Sequence, residues 1–119
     1  MAESRPTLHV CVTCGHPEEP RPGRLLHDRI AALMAAEEPF RLAPVTCLSR
    51  CGEGCSIAAT GPGKWGYLMS RLSPDHAADL ITYARAYAAH ETGALLPSRR
   101  PPSLAKTVIG RIPALETAS

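Results

Sequence analysis

A chain of 119 residues has room for one domain with one modest core. Its 45% apolar and 20% charged content is that of an ordinary soluble protein. A net charge of only +2, with the histidines neutral, gives little pull toward phosphate backbones or acidic membranes, so nucleic acid and lipid are set aside as partners. No run approaches the roughly 18 consecutive apolar residues of a membrane span. The N-terminal stretch MAESRPTLHV carries a glutamate where a signal peptide would be basic, so the expected location is cytoplasmic.

Taken in chain order, TLHVCVT (Thr7 to Thr13) is rich in β-branched residues and alternates Leu8, Val10 and Val12, the pattern of a short strand that ends at the first thiols. GHPEEPRPG then reads as a solvated loop. From Gly23, Leu26, Ile30, Leu33 and Met34 recur at helical spacing between charged residues, predicting an amphipathic helix that stops by Glu38, ahead of Pro39. Phe40 to Thr46 is a second strand, placed at a sheet edge by Pro44, which cannot donate to a ladder. SIAAT and KWGYLMS, on either side of the turn signal GPG at 61–63, predict an antiparallel hairpin with Trp65, Tyr67 and Met69 on one face. A second helix has Ser73 as N-cap, Pro74 at its first position, Asp75 in its first turn and Gly93 past its end. Its apolar stripe runs through Ala77, Leu80, Ile81, Ala84 and Ala88.

The order strand, helix, strand, cysteine loop, strand, strand, helix is that of an α/β, thioredoxin-like unit whose middle helix is replaced by a loop. A right-handed βαβ start followed by a hairpin gives a four-stranded mixed sheet with two main helices. The expected boundaries are a domain at 1–96 and a proline-rich basic tail at 97–119. The tail reads as a strap or a loose end; the sharper alternative is a partner-docking segment using Arg99, Arg100, Lys106 and Arg111.

Five cysteines in a cytosolic chain are poor candidates for structural disulfides and better ones for metal or redox chemistry. They fall in two groups, CVTC at Cys11 and Cys14 and CLSRCGEGC at Cys47, Cys51 and Cys55, at the ends of two strands expected to lie side by side. Gly52 and Gly54 each weaken a helix by about 1 kcal/mol relative to alanine, so the second group belongs to a loop. Backbone N–H groups freed by such glycines can turn toward sulfur and favour the thiolate, which makes the loop a site for a soft or borderline metal.

The bland alternative is five buried small hydrophobes, and Cys55 fits it best. CVTCGH is no haem attachment motif, because Gly15 separates Cys14 from His16. It is a weak dithiol redox motif, because the next helix begins well beyond Cys14. The spacing C-x2-C, thirty-two residues, C-x3-C-x3-C is not that of a zinc ribbon. Four thiolates serve zinc or a two-iron cluster equally well. His16 could replace one thiolate, but a loop histidine is more often simply solvated.

VTCLSRCGEGC followed by GKWGYLMSRLSPD resembles the thioredoxin-like [2Fe-2S] ferredoxins, the fold of the small cluster subunit of respiratory complex I. By that resemblance Cys11, Cys47 and Cys51 take three of the family's four ligand positions. The fourth departs, since Cys14 lies much nearer Cys11 than the family's second cysteine does, and Cys55 stands where those ferredoxins commonly have proline. VCVTC, CLSRCGEGC, GKWGY and the terminal VIGRIP also resemble a bacterial family described as predicted metal-binding proteins, whose gene neighbourhoods imply a link to cobalamin and metal handling.

The leading expectation is therefore a non-enzymatic [2Fe-2S] electron carrier or redox subunit with Cys11, Cys14, Cys47 and Cys51 as ligands and Cys55 as a spare or alternate metal ligand. Its partner is a redox or metal-transfer protein, and a homodimer remains open. A metallochaperone or sensor for zinc or cobalt is the rival, and a metal-free thiol oxidoreductase the third reading. GPGK at 61–64 lacks the full phosphate-loop pattern, and no nucleophile with a base or convincing carboxylate pair appears, so no catalysis is expected.

Overall fold

The computed structural model describes residues 5–12, 21–46, 55–94, 100–104 and 107–113. Its elements run β1 (Thr7–Cys11), α1 (Pro22–Leu33), β2 (Arg41–Val45), β3 (Cys55–Thr60), β4 (Gly66–Leu72), α2 (Ala77–Ala89) and β5 (Val108–Ile112). They form one sheet in the order β2-β1-β3-β4-β5. β1 and β2 are parallel, joined through α1, and every other pairing is antiparallel. Pro44 does lie in an edge strand, and the β3–β4 hairpin turns at residues 61–63 as its sequence implies.

The expectation of four strands is corrected to five. β5 comes from the basic segment beyond residue 97, where it pairs with β4. Arg111 lies over the Trp65 ring at 4.5 Å, which seats the strand on the hairpin. Its sequence, VIGRI, hides this because Ile109 and Ile112 stay exposed and Gly110 interrupts the pattern, leaving no clean alternation to read.

Leu8, Val10, Ile57, Ala59, Tyr67 and Met69 supply the sheet's inner face. Leu26 and Ile30 from α1, and Leu80, Ile81, Ala84, Tyr83 and Tyr87 from α2, pack onto it. α1 stops at Leu33, within the limit that Pro39 sets, and Leu33 is exposed rather than in the core. The second helix opens with a single 3-10 turn, Pro74–His76, before α2 begins; His76 Nδ1 accepts the Ser73 N–H at 3.0 Å. Gly93 follows at φ +74, and a Cβ there would meet Tyr87 Cε1 at 2.6 Å, so both conformation and space demand glycine. Among the described residues, no helix is long and apolar enough to cross a membrane.

Candidate metal centre

β1 carries its cysteine where parallel pairing with β2 ends. Cys11 is in register with Val45, and Val12 N–H donates to the Val45 carbonyl at 3.0 Å, one step further on. The Cys11 thiol is fully buried and donates to the Thr46 carbonyl at 3.6 Å. Thr46 immediately precedes Cys47 in the chain, so the described part of β2 ends one residue short of the second cysteine group.

Cys55 opens β3 at the same end of the sheet and is fully buried too. The two thiols occupy different surroundings. Val10 belongs to the helix-facing core, so alternation along β1 turns Cys11 to the opposite face. Cys55 packs within that core, with Ile57 and Ala59. Burial first, and then the charge of nearby Cys11, push its pKa up to about 11, so at neutral pH Cys55 stays a thiol. Cys14, Cys47, Cys51 and His16 lie outside the described residues. Among the described residues no three His, Cys, Asp or Glu side chains gather.

Sequence reasoning missed Ser56, since a lone serine in a strand carries no signal. It alternates with Cys55 and Ile57, and the register that pairs Val10 with Ile57, continued by one residue, sets Ser56 across from Cys11. It is fully buried, and among the described residues its hydroxyl has no hydrogen-bond partner. Beside it, β4 makes a bulge in which Ser70 and Arg71 fall between the Ile57–Met69 and Cys55–Leu72 pairs; Arg71 adopts φ 61. A buried donor that lacks an acceptor next to a buried thiol suits a sulfur-rich group bound there, because thiolate or sulfide would accept that proton. Among the described residues Cys11 is the one thiol on that face, and Ser56 is the donor beside it that such a group could use.

The comparisons agree with this fold. Among solved structures, a thioredoxin-like [2Fe-2S] ferredoxin from Aquifex aeolicus matches with a TM-score of 0.58 at 15% identity, covering 92% of this chain and 94% of that one. At that identity the likeness shows the fold, which is thioredoxin-like. No curated protein matches the chain. A family model described as "protein of unknown function (DUF1636)" matches residues 8–114, nearly the whole length, and the chain belongs to that family.

Proposed function

We propose that this protein binds a [2Fe-2S] cluster through Cys11, Cys14, Cys47 and Cys51 and passes single electrons to a protein partner. The observation that carries the reading is the buried Cys11 thiol at the common end of β1 and β2, 3.6 Å from the carbonyl that leads into Cys47. The fold shared with a [2Fe-2S] ferredoxin, and the Ser56 hydroxyl beside Cys11, which has no acceptor among the described residues, support it. When bound, the cluster would supply one-electron redox chemistry.

The chain's own residues would do the rest. Sheet pairing holds Cys11 fixed, burial keeps water from its sulfur, and Ser56 offers a hydrogen bond to a sulfur on its face. Cys55, packed on the helix side, supports a place outside the primary ligand set, as a structural or reserve thiol.

Purification without oxygen, followed by iron and sulfide analysis and an absorption spectrum, tests the reading. Two irons per chain with visible charge-transfer bands are expected, and both should be lost in Cys11→Ser but kept in Cys55→Ser. A colourless, iron-free protein with stoichiometric zinc or cobalt would replace the electron carrier with a metal-handling protein. A metal-free protein that reduces disulfides would leave a thiol oxidoreductase.

A further inference from the structure

On the face of the sheet turned away from the helices, β3 presents Ser56, Ala58 and Thr60 in alternation, while Cys55, Ile57 and Ala59 belong to the core. The two hydroxyls of that row differ. Thr60 Oγ1 pairs with His9 Nε2 of β1 at 2.8 Å. Ser56, which the continued β1–β3 register brings level with Cys11, is 0% exposed and has no partner for its hydroxyl among the described residues. Tyr67 and Tyr83 also carry buried hydroxyls without partners there, but both lie in the helix-facing core. Of these three hydroxyls, Ser56 alone stands beside a thiol.

Its neighbours hold it in place without satisfying it. On one side, Cys11 donates its own proton to the Thr46 carbonyl at 3.6 Å, and a thiol sulfur is a weak acceptor. On the other side β4 bulges: Ser70 and Arg71 fall between the Ile57–Met69 and Cys55–Leu72 pairs, the Ser70 N–H donates to the Thr107 carbonyl at 3.0 Å, and Arg71 adopts φ 61. Loss of the Cys11 proton changes this arrangement. A thiolate has no proton to give and accepts a charge-assisted hydrogen bond, so the neighbour of Ser56 turns from a donor into an acceptor.

We infer that Ser56 is a positioning residue of the metal centre: it donates its O–H to the Cys11 sulfur when that sulfur is a metal-bound thiolate, and so limits the charge that the sulfur passes to the metal. The redox consequence rests on the cluster reading above. A hydrogen bond to a ligand sulfur favours the state with more negative charge, which is the reduced one, so Ser56 raises the reduction potential. The hydroxyl keeps its proton throughout, and the single electron comes from the partner or, in the test, from dithionite.

The test loads the full chain with iron and sulfide without oxygen, and in parallel with cobalt(II), for wild type and Ser56→Ala. In the iron-loaded pair the midpoint potential is read by optical titration with dithionite. Ser56→Ala is expected to hold the same iron but to have its potential lowered by about 59 mV, a tenfold change in the ratio of reduced to oxidised protein for one electron. In the cobalt pair, the thiolate-to-metal charge-transfer band should move to longer wavelength in Ser56→Ala, because a sulfur without the hydrogen bond gives up charge more easily. Neither readout responds to a residue that only fills space. If the chain takes up iron and sulfide and the two potentials coincide, the inference falls and the cluster reading stands. If it takes up cobalt alone, the cluster reading falls and the band decides: a shift supports the role of Ser56, and coincident spectra overturn it. Uptake of neither overturns both.

Discussion

Ser56 is where a single atom separates two states of the protein. A buried hydroxyl without an acceptor costs about 1–3 kcal/mol relative to one that is bonded. Ser56 is fully buried and its hydroxyl has no partner among the described residues, so the metal-free chain carries that cost, and a sulfur acceptor opposite Cys11 would remove it. Ser56→Ala, which deletes one oxygen and leaves almost no cavity, should stabilise the metal-free protein by about 1 kcal/mol in urea denaturation. In the iron-loaded protein the gain should vanish or reverse. Equal stabilisation of both forms would mean that the hydroxyl never meets the bound group. The cysteines carry a signal in their spacing; Ser56 carries none, and its meaning comes only from the strand register continued toward Cys11.

Between elements, one ion pair ties the connection after α1 to α2. Glu38 is buried, its side chain 3% exposed, and it accepts two hydrogen bonds from Arg85, at 2.9 and 2.6 Å, and one from the Ala35 N–H at 2.8 Å. That last bond is part of why α1 ends at Leu33 instead of running to Glu38: the carboxylate captures a backbone donor just past the helix. The hydrogen bonds from Arg85, then the one from Ala35, hold the Glu38 carboxyl down at about 2, well below the ordinary 4.5. A depressed carboxyl contributes stability that is fully present above the unfolded-state value and lost as pH falls toward the folded-state value. The protein should therefore lose stability between about pH 4.5 and pH 2 through this group. Glu38→Gln should be less stable at neutral pH and show a flatter dependence across that window when melting temperature is followed against pH. Parallel profiles for the two proteins would show that Glu38 does not govern the acid limb. Arg29 and Asp75, also paired at 3.2 Å, are both exposed, and their pair should contribute little.

At the scale of the molecule, what was legible in the sequence was whatever local pattern decides. The βαβ start, the hairpin at GPG and the edge position of β2 all follow from periodicity, proline and turn chemistry. The second helix shows the limit. Of its stripe, Ala77, Leu80, Ile81 and Ala84 are buried and Ala88 is only half-buried, while Tyr83 and Tyr87 are buried as well and widen the buried face beyond one stripe. Tyr83 and Tyr87 stack with centroids 5.8 Å apart, and Tyr67 meets Tyr87 edge to face at 6.4 Å. The extra burial comes from distant chain: the 3-10 turn Pro102–Leu104 packs against α2, and β5 closes the sheet beside β4. Neither is written in local pattern, since a strap and an edge strand bury few of their own residues. Leu104 is the exception, at 0% exposure within the main core. A strap that merely rested on the surface would lose little with that side chain, whereas a core member should cost about 2–5 kcal/mol when cut to alanine. Leu104→Ala is therefore expected to shift the urea midpoint of the whole protein in one cooperative transition, with Arg100 and Arg111 untouched and still over the Tyr67 and Trp65 rings. A change within about 0.5 kcal/mol would instead mark the segment as peripheral to folding.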